Sequence, residues 1–523
     1  MSTYTPPLHS MRRMDLTAAA IILATTLIRF VFVAGGALNL SPDEAQYWDW
    51  SRTLQLSYYS KGPLVAYIIG FWTEIFGNTE LGVRFGAVFG SMMTQSVLYL
   101  GLSRLWDRPR LGAWVLVLVN TMPLFLASGV LMTTDNPLIF CWIGCFFLLY
   151  RMSTPQRKGY DPYLFGLLFG LGILGKYMML VFAPIALVFV WMLRRKGDAA
   201  EGTLSNLLLG LGLGLVIGFL PIFLWNLQND WVGFRHVATL GGVSGSRSAV
   251  LIRFDRFPEY IGSQIGLLTP WWFAFLLWGG WQTAKGLLPA ASLRFGLNRP
   301  QALLLTLSFW PLWLFFILWS FHTRIYGNWP AVTYAGGIIL AALAWERFWD
   351  RSPRERVKKA VLGLGLAVFC IVQSAPFLPI PAEVNPMHRL MGWDDLGTTI
   401  AQVSETMFEN PSKVFLLSDR YGVTAGLSFY GPGQTRAFNV DEGRRMTQYD
   451  LWPGPQDKVG WDALYVRKHW DEKVTPEVGK MFDRIGEKII VRTEHLGKPG
   501  RRFALFPCYG YNGHWPQPEK DSF

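Results

Sequence analysis

The sequence predicts an α-helical polytopic membrane protein with a soluble α/β domain at its C-terminal end. Three observations carry that expectation. Apolar residues make up 51% of the 523-residue chain and charged residues only 16%, against roughly 25% charged in soluble domains. Runs of about 20 apolar residues, the length that crosses a bilayer as a helix, recur as far as position 376. Beyond 377 the composition turns mixed, with frequent Pro and Gly.

The apolar runs fall at 14–36, 81–103, 111–129, 136–150, 162–175, 177–193, 204–225, 260–283, 301–320, 329–345 and 359–376. With the ambiguous stretch at 63–77, they predict about 11–13 transmembrane helices. The expected division is a membrane domain at 1–376, whose first outer loop spans 37–80, and a soluble domain at 377–523. The first apolar run, 16–38, exceeds the roughly 7–15 residues of a signal-peptide core and is expected to stay as a span.

Charge distribution sets the expected orientation. Arg12 and Arg13 precede the first span and should remain in the cytoplasm. Threading alternately then places 20 of the 30 Lys and Arg residues before position 377 in cytoplasmic segments, as the positive-inside rule requires. The C-terminal domain comes out on the outer face, periplasmic if the membrane is a bacterial inner membrane. The net charge of +12 is therefore a topological signal. The tail holds 18 basic and 19 acidic residues, without the basic face that nucleic acid would need. Four cysteines, Cys141, Cys145, Cys370 and Cys508, show neither a disulfide framework nor a zinc spacing.

In the tail, 413–422, 461–468, 488–495 and 501–509 read as strands, and 394–409 and 475–484 as helices between them.

The polar residues of the membrane half gather on the outer side of this topology. The first outer loop, SPDEAQYWDWSRTLQLSYYSKGP (41–63), carries Asp43, Glu44, Tyr58, Tyr59 and Lys61. Asp135 follows in TTDNP, Lys176 interrupts a long apolar run, and His322, Arg324, Asn328 and Trp329 lie between two late spans. His236 and Arg253 are further candidates for lipid or acceptor contact. Charge at membrane depth costs several kcal/mol unless paired or functional, so the gathering marks a candidate site. Asp43 or Glu44 can act as a base toward an acceptor hydroxyl. Lys61, Arg324, Lys176 and Arg29 can hold a phosphate. An outer compartment lacks nucleotide sugars, and a sugar on a polyprenyl phosphate would supply both leaving group and membrane anchor.

Structural alternatives stand beside each reading. Asp43 and Asp135 are placed to cap helices. Lys61 could snorkel to lipid head groups. Tyr47, Trp48, Trp50, Tyr58 and Tyr59 could form an interfacial aromatic belt or stack on sugar.

The loop SPDEAQYW…YYSKGPL resembles the first outer loop of GT-C membrane glycosyltransferases. It is most similar to the bacterial branch related to protein O-mannosyltransferases and lipid A aminoarabinose transferases. Asp135-Asn136-Pro137-Leu138, LGKYMML (174–180), FLPIFLWNLQNDWVGFRH (219–236), GSQIGLLTP (262–270), YGNWPA (326–331) and FYGPGQTR (429–436) extend the likeness. The resemblance implies Asp43 as catalytic base, Lys61 on the donor phosphate, Asp135 as second site carboxylate and Glu44 as the adjacent acid. Tyr58, Tyr59, His322, Trp329 and Asn328 would contact substrate. It implies an inverting transfer from a polyprenyl-phosphate sugar to a lipid A, glycolipid, polysaccharide or protein acceptor among membrane lipids. No metal is expected to be obligatory, while a divalent cation on Asp43, Glu44 and Asp135 stays open. Gly62 departs from the Lys-Pro-Pro of the aminoarabinose transferases, so their sugar is not carried over. The rival reading is a lipid or glycolipid flippase, which would place ionisable groups near the midplane.

Overall fold

The computed structural model describes residues 8–240, 254–289, 291–378 and 387–516. The chain divides into two compact units, residues 1–31, 86–225 and 245–373 in the first and residues 32–85, 226–244 and 374–523 in the second. The soluble region thus begins near the compositional boundary and gathers two earlier segments of the chain.

Helices in chain order are α1 (Leu8–Ala34), α2 (Pro42–Ser51), α3 (Leu64–Phe76), α4 (Glu80–Leu100), α5 (Pro109–Val119), α6 (Pro123–Ser128), α7 (Asp135–Met152) and α8 (Asp161–Gly175). They continue as α9 (Phe182–Lys196), α10 (Thr203–Gly214), α11 (Leu220–Gln228), α12 (Val232–Leu240), α13 (Arg256–Leu268), α14 (Pro270–Lys285), α15 (Arg299–Ser320), α16 (Thr333–Arg351) and α17 (Glu355–Ser374). Every apolar run read from the sequence is helical. Among the described residues six helical stretches are long and apolar enough to cross a membrane, and Leu64–Phe76, Pro109–Val119 and Asp161–Gly175 are shorter apolar helices.

Two expected spans are broken, each at a proline. The run 111–129 splits before Pro123, where Met122 is extended. The run 260–283 splits at Thr269, which adopts φ +69° before Pro270. Proline clashes with an α-conformation in the residue before it, which explains both breaks. In the first unit α8 and α10 pack backbone to backbone. A Cβ on Gly166 would lie 2.9 Å from the Gly210 carbonyl oxygen, and one on Gly214 2.9 Å from that of Gly166. Small residues one turn apart permit this approach, the usual solution inside a bilayer.

The second unit is built on a six-stranded sheet. Its strands are β1 (Val414–Ser418), β2 (Phe438–Asn439), β3 (Asp462–Arg467), β4 (Phe482–Ile485), β5 (Ile489–His495) and β6 (Lys498–Tyr511). The order is β2-β1-β3-β6-β4, with β5 also paired to β6. β1 is parallel to β2 and β3, and β6 is antiparallel to its neighbours. Alternation along β1 and β3 sends Leu416, Leu464 and Val466 to one face and Phe415, Leu417 and Tyr465 to the other. Helices α18 (Trp393–Met407) and α19 (Tyr421–Tyr430) cover the first face through Trp393, Leu396, Val423 and Leu427. The helix expected over 475–484 is one turn, α20 (Pro476–Gly479), because Phe482 to Ile485 pair with β6 as a strand.

Candidate active site

The acidic pair in the first loop is set by local chemistry at the start of α2. Ser41 and Glu44 form a reciprocal capping box, with Pro42 at the first helical position. Glu44 then turns inward. Its carboxylate accepts from Arg84 Nε and Nη2, both at 2.9 Å, and from the Ser41 amide at 2.8 Å. Arg84 also donates to the carbonyls of Leu38 and Asn39. Both partners are essentially fully buried. The catalytic role expected of Glu44 is therefore replaced by a structural one: its oxygens are occupied and closed to substrate. Arg84 was missed by sequence reasoning, although a lone arginine in an apolar run was the available signal.

Asp43 points the other way. It is exposed at the first turn of α2, and its Oδ1 accepts from the Tyr421 hydroxyl at 3.1 Å. No Lys or Arg lies within ion-pair distance of it among the described residues. Glycine at 422 permits this contact, since a Cβ there would lie 2.8 Å from the Cβ of Pro42.

The aromatic residues of the loop neither form a membrane belt nor face a sugar. Tyr47, Trp48, Trp50, Tyr58 and Tyr59 are all buried in the second unit. Tyr58 stacks on Trp50 at 4.5 Å and its hydroxyl reaches the Trp50 carbonyl at 3.0 Å. The Tyr59 amide donates to Gln448 Oε1 at 2.7 Å, and its ring lies 4.5 Å from that of His236. Substrate contact through Tyr58 or Tyr59 is thus closed by packing. Lys61 follows this anchored turn, its carbonyl accepting from the Tyr58 amide. Burial pushes the His236 imidazole down to about 4, and the charges of Arg445 and Lys61 push in the same direction. His236 is therefore neutral at physiological pH beside two cations.

In the first unit three expected residues meet. Asp135 opens α7 and accepts from Lys176 Nζ at 2.7 Å and from Asn328 Nδ2 at 2.7 Å. Lys176 reaches it because the helix ends at Gly175 and the lysine backbone is extended. Asn136 fixes the same corner by accepting from the Thr133 amide at 2.6 Å. Trp329 begins the short turn after Asn328, and His322 is exposed with its ring 5.1 Å from Trp319. Arg324 pairs with Glu259 at 2.6 Å on the surface. Arg29 departs from the expected phosphate role: it is 1% exposed and donates to Asn120 at 2.7 Å inside the helices. Arg253 lies outside the described residues. Among those residues, no group of three or more His, Cys, Asp or Glu side chains is gathered as metal ligands would be.

Residues 60–225 match the family described as dolichyl-phosphate-mannose-protein mannosyltransferase. The chain is 27% identical to the lipid A galacturonosyltransferase RgtD of Rhizobium johnstonii over 379 residues, 71% of this chain and 74% of the relative. It is 25% identical over 201 residues, 34% of this chain and 35% of the relative, to the undecaprenyl phosphate-alpha-4-amino-4-deoxy-L-arabinose arabinosyl transferase of Yersinia enterocolitica. Among solved structures, ArnT from Cupriavidus metallidurans bound to undecaprenyl phosphate superposes with a TM-score of 0.65 at 15% identity, over 93% of this chain and 97% of that one. The chain is a membrane glycosyltransferase of the GT-C fold.

As a GT-C glycosyltransferase, it offers in the first loop, within its second unit, an exposed carboxylate, Asp43, and a lysine beside a neutral histidine. In its first unit it offers an acid, Asp135, already neutralised by Lys176. These are different chemical capacities. The first can accept a proton; the second is a fixed dipole.

Proposed function

We propose that this glycosyltransferase moves a sugar from a polyprenyl-phosphate donor to lipid A or a related envelope glycolipid, with inversion, at the periplasmic face of the inner membrane. The similar aminoarabinose transferases are named for an undecaprenyl-phosphate donor, and RgtD for a lipid A acceptor. The observation that carries the reading is the state of Asp43. It is exposed and, among the described residues, accepts from a tyrosine hydroxyl alone, while Glu44 beside it is consumed by Arg84. Asp43 takes the proton of the acceptor hydroxyl as that oxygen bonds to the anomeric carbon. The bond from that carbon to the phosphate oxygen breaks, and polyprenyl phosphate leaves with its new charge met by Lys61. Lysine serves as the countercharge, so the reading assigns no step to a metal.

The test uses purified full-length protein, a polyprenyl-phosphate sugar and lipid A. Formation of glycosylated lipid A by wild type, and its loss in Asp43→Asn with melting temperature retained, is the expected result. Full activity of Asp43→Asn would remove Asp43 as the base. A flippase would move the lipid and form no glycosidic bond.

A further inference from the structure

A cluster of cations at one end of the sheet has no part in the chemistry above. β1 and β3 run parallel, in the register Leu417 opposite Tyr465, and end together. Arg420 follows β1 by two residues and Lys468 follows β3 by one. β6 runs against β3 with Arg467 opposite Ala504, so Arg501 lies just beyond the same end. The guanidinium of Arg501 lies 5.0 Å over the Trp393 ring, whose Nε1 donates to the Arg389 carbonyl at 3.2 Å. Four cations from four separated segments therefore meet at the carboxyl end of the parallel strands. In open α/β sheets that crevice is where ligands bind.

The cluster is poorly neutralised. Arg420 pairs with Glu472 at 3.1 Å and with Asp419 at 3.7 Å, and Arg467 shares both acids and adds Glu442, so five cations face three carboxylates. No carboxylate lies within ion-pair distance of Arg389, Lys468 or Arg501 among the described residues. Arg389 and Arg420 are exposed, and Lys468 and Arg501 half-buried. Lys468 is pushed below its ordinary range by burial and then by Arg501, Arg420 and Arg389, with Glu472 opposing. Burial, joined by Arg389, brings Arg501 down to about 10. Like charges held together with too few counter-ions raise the energy of the unliganded state, which an anion relieves.

The position of the cluster points to its ligand. Arg420 adjoins Tyr421, whose hydroxyl contacts Asp43. The segment that carries Arg420 thus also carries the contact to Asp43, which relates the cluster to the acceptor side of the reaction proposed above. We propose that Arg389, Arg420, Lys468 and Arg501 form an acceptor subsite that binds the phosphate groups of a phosphorylated glycolipid. The subsite rests on the transfer reaction proposed above and adds the acceptor's charge as a determinant of recognition.

Binding to full-length protein in detergent tests it, with bisphosphorylated lipid A, the same lipid A after phosphatase treatment, and undecaprenyl phosphate as probes. Wild type should bind bisphosphorylated lipid A at least about tenfold tighter than the dephosphorylated form. Arg389→Gln and Lys468→Gln should each erase most of that difference and leave undecaprenyl phosphate affinity unchanged. Arg501→Lys should retain it, since the charge persists. Equal binding of the two lipid A forms by wild type would overturn the subsite, as would unchanged discrimination in both Gln variants. Parallel loss of undecaprenyl phosphate affinity would overturn it too, because the defect would not be specific to the acceptor. Wild type that binds undecaprenyl phosphate and not lipid A loses the subsite while the donor assignment stands; binding neither lipid removes both.

Discussion

Asp43 and Asp135 are the two carboxylates that the GT-C resemblance singles out, and they sit in opposite electrostatic states. Asp135, in the helical unit, is held between Lys176 and Asn328, each at 2.7 Å. Asp43, in the unit built on the sheet, is exposed and has a single hydroxyl donor. A charge within a membrane helix is tolerated when paired, because unpaired it costs several kcal/mol. A carboxylate at the edge of a soluble domain carries no such requirement. The unpaired acid therefore stands where water can solvate it, and its proton-accepting capacity is left unspent. The neighbouring Glu44 sharpens the contrast: one residue further along the same turn, it is fully buried and locked by Arg84.

The comparison breaks most readily at Asp43. Asp43→Asn should lower turnover by about 10²–10⁴-fold, the range for removing a general base, with an unchanged melting temperature. A loss below tenfold in a steady-state transfer assay would mean the exposed acid is idle. Glu44→Gln should do the reverse. Stranding Arg84 in the interior should destabilise the protein by about 3–5 kcal/mol, read in thermal melts, while turnover per folded molecule stays within a few-fold of wild type. A catalytic collapse at full stability would reassign Glu44 to the chemistry.

At the paired centre, Asp135→Asn and Lys176→Met should each destabilise by less, about 2–4 kcal/mol, since Asn328 still bonds Asp135 in the lysine variant and a carboxamide oxygen at 135 can still accept in the other. The double variant should be more stable than the sum of the two losses predicts. Strict additivity in a double-mutant cycle would show that the pair is not coupled.

The smallest effect concerns pH and the soluble unit. The bond to Asp394 raises the protonation range of His495, against the opposing effect of its burial, and the Ala37 carbonyl adds to the rise. Burial works to raise Asp394, yet its bond with His495 leaves it lowered. The histidine contribution is fully present below its ordinary value of 6.5 and is lost as pH rises through the raised value. The aspartate contribution is present above its ordinary value of 3.8 and is lost as pH falls through the lowered one. The melting-temperature gap between wild type and His495→Gln should thus be widest between these two ordinary values and shrink by pH 8 to 9. A gap that grows toward pH 9 would contradict the pairing.

What the sequence made legible was whatever depends on neighbours in the chain. Apolar runs became helices because a bilayer requires internal backbone pairing over about 20 residues. Lys176 broke its run as expected, and β1, β3, β5 and β6 lie where alternation placed them. Asp135, Lys176 and Asn328 were each named from their motifs, and they do meet. The errors arose where a partner outside the local stretch of chain decided the outcome. Trp48, Tyr58 and Tyr59 read as a membrane belt because nothing near them indicates that Phe429 and Gln448 cover them. Residues 482–484 read as helix because their partners in β6, Tyr511 opposite Phe482 and Tyr509 opposite Arg484, lie beyond the neighbouring turns of the chain. Arg29 looked like a phosphate ligand because sequence shows charge and not enclosure.

The contact between Asp43 and Tyr421 spans 378 residues of chain, and this has a consequence for biosynthesis. At about 5–20 residues per second, roughly 20–75 s separate the emergence of Asp43 from that of the hydroxyl that donates to it. Glu80 waits as long for Tyr430, which donates to it at 2.7 Å, and Asp49 for Arg436. During that interval the growing chain already occupies the membrane, yet α2, which bears Asp43, lacks the α19 surface against which it packs. A product truncated before residue 421 would insert and remain inert. Under the transfer proposed above, competence would thus arrive late in synthesis, once the segment that carries α19 has folded.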